Sequence, residues 1–134
     1  MTYKVLIAGG RDFNNYELLK QKCNEFLKDI KDEIVIISGK ANGADTLGEQ
    51  YAKENGYEIE EYPAQWNDLT AEPCKIKHNR YGKPYNALAG FNRNKLMVDS
   101  ANLVIAFWDN KSNGTRDTIN YSKKKNVELE IVSY

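Results

Sequence analysis

Glycine-bearing turns close three apolar runs along this chain, and their residue types suit the capture of an anion. Val5-Leu6-Ile7-Ala8 ends at Gly9-Gly10-Arg11-Asp12. Ile34-Val35-Ile36-Ile37 runs into Ser38-Gly39-Lys40-Ala41-Asn42-Gly43-Ala44-Asp45. Leu103-Val104-Ile105-Ala106-Phe107 leads to Trp108-Asp109 and then Ser112-Asn113-Gly114-Thr115. Glycine lets the backbone approach a ligand and turn its N–H groups outward. A helix starting just beyond adds its positive end, which favours phosphate. One such turn alone is most simply a tight turn; three on one rim point to a binding site.

Side chains near these turns have matching chemistry. Arg11 and Arg93 each offer a planar fork of donors able to engage two oxygens at once. Asp12 and Asp109 could accept from ribose hydroxyls, and Trp108 or Trp66 could stack on a base. Plainer roles compete. Arg11 could pair with Asp12 or Asp45, Asp45 could simply cap the helix it opens, and either tryptophan could be a core or interface aromatic. The chain has no G-x-x-x-x-G-K-[ST] and no G-x-G-x-x-G, which argues against a P-loop NTPase and the usual dinucleotide fingerprint. Cys74-x-x-x-His78 supplies two ligands, below the three or four of a zinc site, so no metal or cofactor site is read. No serine–histidine or cysteine–histidine pair is legible.

The elements that must position these residues alternate along the chain. The three apolar runs read as strands covered on both faces. Tyr57-Glu58-Ile59-Glu60 and Val127-Glu128-Leu129-Glu130-Ile131 alternate instead, as edge strands with a wetter face do. Tyr16, Leu19, Cys23, Phe26 and Ile30 form a helical stripe, with Asn14 and Glu17 as its capping pair. Further helices are expected over about 44–55, ended by Gly56, over about 91–100, and over 115–125, where Lys123-Lys124-Lys125 suits the negative helix end. The pattern predicts an α/β fold: a Rossmann-like three-layer domain over residues 1–134 with a mostly parallel five-stranded sheet, order 3-2-1-4-5. Ligands bind such sheets where the strand order reverses, beyond the carboxyl ends of the strands. The stretch from Pro63 to Ala89 is too long for an ordinary connection.

Composition is that of a globular protein, with 41% apolar and 28% charged residues. Nineteen basic and nineteen acidic side chains cancel, so no global field draws the chain to nucleic acid or a membrane surface. Two cysteines, no membrane-length apolar run and a start that enters a strand directly suggest a cytoplasmic protein without a signal peptide.

The motifs together resemble the SLOG superfamily, particularly its small YspA/YpsA-like members. The likeness rests on Gly9-Gly10-Arg11-Asp12-Phe13, Ser38-Gly39 with Ala41 and Gly43-Ala44-Asp45, and Pro63-Ala64 with Trp66. Gly90-x-x-Arg93-Asn94-x-x-Met97 and Phe107-Trp108-Asp109 with Ser112-x-Gly114-Thr115 extend it. The superfamily also holds the lonely-guy phosphoribohydrolases and the DprA-type single-strand DNA binders. The resemblance implies a site for a nucleotide or nucleotide-derived ligand, to which Gly90, Arg93 and Asn94 would contribute, and a homo-oligomer. In the hydrolase branch an arginine early in the third helix and a carboxylate two residues after the Gly-Thr pair are catalytic; by position these are Arg93 and Asp117. That branch carries glutamate and a fuller P-G-G-x-G-T turn. Aspartate is one methylene shorter, and a misplacement near 1 Å can cost on the order of 100-fold in rate.

Three functions follow: a nucleotide-ligand sensor, carrier or sequestering domain; an N-glycosidic hydrolase of nucleoside monophosphates; and a single-strand nucleic-acid module. Neutrality argues against nucleic acid as a partner, except around Lys75 to Lys83. Small relatives join the tryptophan to a segment like Arg80-Tyr81-Gly82-Lys83 with fewer residues. The inserted loop, about 67–86 with Lys75, Lys77 and His78, could be a basic lid, a solvated loop or a subunit contact.

Overall fold

The run Val5–Ala8 of the first strand is apolar and buried because both sheet faces are covered there. The computed structural model describes residues 2–71 and 73–134; Met1, and Glu72 within the inserted loop, lie outside the described residues. The strands β1 (Thr2–Gly9), β2 (Glu33–Ser38), β3 (Glu58–Glu61), β6 (Leu103–Trp108) and β7 (Glu128–Ser133) form one parallel sheet, order β3-β2-β1-β6-β7. Counting only these five strands, this is the expected 3-2-1-4-5. Two further strands, β4 (Ile76–His78) and β5 (Pro84–Asn86), pair antiparallel in a separate hairpin.

Alternate side chains of the central strands feed two cores. Val5, Ile7, Ile36, Ile105 and Phe107 face one side with Leu19 and Cys23 of α1 (Tyr16–Leu27) and Tyr51 and Ala52 of α2 (Ala44–Asn55). Leu6, Ala8, Ile37 and Val104 face the other with Met97 and Val98 of α3 (Ala89–Ser100), and Tyr121 of α4 (Asn113–Lys124) packs against them. Three layers result. A strand buried on both faces has no polar positions to alternate, hence the unbroken runs.

Helix ends account for the differences from the sequence reading. Asn15, not Asn14, caps α1, its side chain accepting from Leu18 N at 3.1 Å. Helix α3 starts two residues before expectation, at Ala89, and its N-cap Leu88 gives no side-chain bond that could have marked it. Helix α4 also starts two residues early, behind Ser112. Gly56 ends α2 in the left-handed conformation as expected.

The stretch from Pro63 to Ala89 is not structureless. Asn86, wholly buried, fastens it: Oδ1 accepts from Lys75 N at 3.2 Å and Leu88 N at 2.9 Å, while its own N–H donates to Trp66 O at 2.7 Å. Asn92 of α3 adds a bond from Nδ2 to Pro73 O at 2.9 Å. These bonds hold Trp66 against the start of α3.

Candidate functional site

Strand β1 is the reversal point: β2 lies on one side and β6 on the other. The turns after all three strands meet there, and close packing explains the glycines of the first two, whereas a Cβ on Gly114 would meet nothing within 4 Å. A Cβ on Gly9 would stand 2.7 Å from both Ala44 Cβ and Phe107 O, so only glycine lets β1 end between α2 and β6. Gly43 lies at φ +76°, and a side chain there would strike Gly10 O and the Arg11 carbonyl. Gly10 O in turn accepts from Phe13 N and Ala44 N, each at 3.2 Å. The first two turns are thereby clipped together.

The third turn is built by its own side chains. Asp109 Oδ1 accepts from Lys111 N and Ser112 N, both at 2.8 Å, and these N–H groups hold its carboxyl below the ordinary range. Trp108 Nε1 donates to Ser112 O at 3.2 Å, and Arg116 lies 5.6 Å over its ring. Ser112 then caps α4, Oγ accepting from Thr115 N at 3.4 Å.

Between the turns lies a hollow of about 450 Å³. Gly9, Gly10, Arg11 and Asp12 line it from the first turn, Ala41 and Asp45 from the second, and Ser112, Gly114 and Thr115 from the third. Gly90, Arg93 and Asn94 of α3 close the wall with Trp66 from the inserted stretch. A neighbouring hollow of about 360 Å³ opens beyond Arg11 and Arg93 and includes Gly39.

Other expected residues stand behind these walls. Ser38 is buried beneath the second turn, Oγ donating to Glu49 Oε2 at 2.6 Å and accepting from Lys40 N at 3.2 Å. Gly43 and Ala44 set the packing without facing the hollow, and Trp108 and Asp109 form their own turn. Asp117 does not line the hollow. Its Oδ2 is enclosed without a partner, and burial raises its carboxyl while Asn94 beside it pulls the other way.

Two arginines and two carboxylates carry the charge at this hollow. Arg93 is fixed by Nη1 to Gly39 O at 2.5 Å and Nε to Asn94 Oδ1 at 3.1 Å, which leaves Nη2, on the Gly90 side, without a hydrogen-bond partner among the described residues. Among the described residues Arg11 makes no ion pair and no side-chain hydrogen bond, so it is joined to neither Asp12 nor Asp45. Asp45, 9% exposed, accepts from Ala41 N at 3.1 Å through Oδ2. Burial pushes its carboxyl up to about 6 against the opposing pull of that N–H group and of Arg93. Asp12 accepts from Tyr134 Oη at 3.0 Å, and burial, with Asp12 next, drives the Tyr134 phenol to about 12.

Phe91 and Thr118 also line the hollow, though the sequence reading did not include them. Thr118 stands three residues after Thr115 on α4 and therefore on the same face, a spacing that was available as a signal.

A Rossmann-like sheet with a hollow at its strand reversal defines the class. Residues 3–68 match the model of the YspA, cpYpsA-related SLOG family. DprA from Streptococcus pneumoniae is similar in structure, with a TM-score of 0.68 and 17% identity over 97% of this chain and 50% of that one. DprA from Helicobacter pylori, described for its single-stranded DNA binding mode, gives 0.61 and 19% over 96% and 64%. TM1055 gives 0.60 and 17% over 95% and 72%. At these identities the likeness shows the fold, and this chain spans only 50% and 64% of the two DprA chains. No curated protein matches the chain. The Helicobacter protein's single-stranded DNA binding does not fit the expectation that nucleic acid is an unlikely partner. No helix among the described residues is long and apolar enough to cross a membrane.

Proposed function

We propose that the chain binds a nucleotide or nucleotide-derived ligand at the hollow between its three turns, as a sensor, carrier or sequestering domain. The observation that carries this reading is the free edge of Arg93, held by Gly39 O and facing a hollow rimmed by Gly10, Arg11, Gly114 and Thr115. A phosphate there meets Nη2 of Arg93 and helix N-termini together. The hollow falls within the ~300–1,000 Å³ of small-molecule sites.

A phosphoribohydrolase would need a carboxylate at the reacting carbon. Asp117 stands behind Asn94 with Oδ2 enclosed, so binding is the better supported reading. Single-strand nucleic acid is the second reading, favoured by the fold shared with the Helicobacter DNA binder and by Trp66, 39% exposed beside Arg11 and Arg93. Stacking on such a ring tolerates any base.

Isothermal titration against a panel of nucleoside monophosphates, dinucleotides and a short single strand tests both. Saturable binding of a mononucleotide that weakens at least tenfold in Arg93→Ala supports the proposal. Silence across the small ligands with salt-sensitive binding of the strand favours the second reading. Release of free base from a monophosphate, lost in Asp117→Ala, would restore the hydrolase.

A further inference from the structure

Two of the hollows that Arg93 lines are parts of one cleft. Arg11, Ala41, Trp66 and Arg93 line both, so these residues stand between them and not around either alone. The larger is closed by α3 and the third turn, and the smaller by Gly39 to Asn42 with Pro63 and Ala64. Each by itself is near the lower end of small-molecule sites, roughly 300 Å³. Together they suit a longer ligand.

The smaller hollow has its own cation. Lys40 lines it and not the larger one. Its backbone is held at φ +61°, a conformation a non-glycine residue adopts at a cost, and its N–H is bonded to buried Ser38 Oγ. Its Nζ is paired with Glu49 at 2.9 Å and Glu61 at 3.4 Å, so a ligand phosphate at this hollow competes with these carboxylates for the ammonium. Arg11, with no partner among the described residues, stands at the junction because Gly43 lets α2 press against its backbone. Trp66 offers a stacking face between two cationic ends.

We infer that the smaller hollow is a second anion subsite, so that the ligand carries two phosphate-bearing units, one on each side of Trp66. This rests on the nucleotide reading above and names the class of ligand. The first phosphate meets Arg93 and the turn amides, the second meets Lys40, and Arg11 serves both. The two units could be joined by a phosphodiester or by a pyrophosphate, and the chemistry shared by both is what the cleft selects.

Isothermal titration of the whole chain with AMP, 5′-phosphorylated diadenylate and diadenosine pyrophosphate tests this. At least one two-unit ligand is expected to bind about tenfold tighter than AMP, the worth of one added charged contact, and the tighter of the two identifies the linkage. Lys40→Gln is expected to abolish that gain with AMP affinity unchanged, which also shows the variant is folded, and Lys40→Arg to retain it. Equal affinity for all three ligands, or a gain that survives Lys40→Gln, overturns the second subsite and leaves the nucleotide reading intact. Absence of binding by all three overturns both.

Discussion

Asp45→Asn should stabilise the protein at neutral pH although it alters a residue on the site wall. The native carboxyl is 9% exposed, has no ion pair within the described residues and is pushed from the ordinary 3.8 to about 6, chiefly by burial. Ala41 N–H, Arg93 and Arg11 oppose that rise, and Glu49 adds to it. A carboxyl raised on folding favours the protonated state. Its contribution is therefore complete below the unfolded value near 4 and lost as pH climbs through 6. At about 1.4 kcal/mol per pH unit, ionised Asp45 costs about 3 kcal/mol from pH 7 upward. Asparagine keeps an oxygen for the Ala41 amide and carries no charge, so the variant avoids that cost. Urea unfolding between pH 4 and 8 should show the two proteins nearly equal at pH 4. By pH 7 the variant should lead by about 3 kcal/mol, or roughly 10 °C in Tm. A gap that is constant with pH, or that favours the native protein at pH 7, would refute the claim that a buried unpaired carboxylate stands here.

Other outcomes follow from the same geometry. Binding of a phosphate ligand places like charge near Asp45 and should take up protons near pH 7; titrations in buffers of differing ionisation enthalpy measure this, and Asp45→Asn should lose it. Gly9→Ala drives a methyl to 2.7 Å from Ala44 Cβ and Phe107 O, so unfolding should show a loss of about 1–3 kcal/mol from overpacking. Asn15→Ala removes the cap on Leu18 N and should cost about 1 kcal/mol without changing ligand affinity.

The sheet was legible because its physics is written locally. Runs such as Val5–Ala8 and Ile34–Ile37 can be satisfied only between two helical layers, while Glu58-Ile59-Glu60 and Glu128–Ile131 betray edge strands. The β4–β5 hairpin was not legible: its strands are three residues long, and Ile76, Lys77 and His78 are all exposed, so no periodicity marks them. The buried amide of Asn86, helped by Asn92, does the fastening, and nothing in the sequence separates Asn86 from a loop asparagine. At the site, the glycine turns announced themselves through their place after apolar strands. The roles of Asp109 and Trp108 did not, since a carboxylate that could bond a ribose could equally bond its own turn. Asp109 with a serine three residues on fits such a local turn, and that is what forms.

Residues from three separate crossovers line the proposed anion site. Two-dimensional amide NMR of the labelled protein, titrated with AMP, tests this residue by residue. The account predicts saturable shifts at Gly10, Arg11, Ala41, Gly114 and Thr115 together, with one shared dissociation constant. Shifts confined to the Lys75–Lys83 hairpin, or shifts at one turn with the other two unmoved, would contradict it.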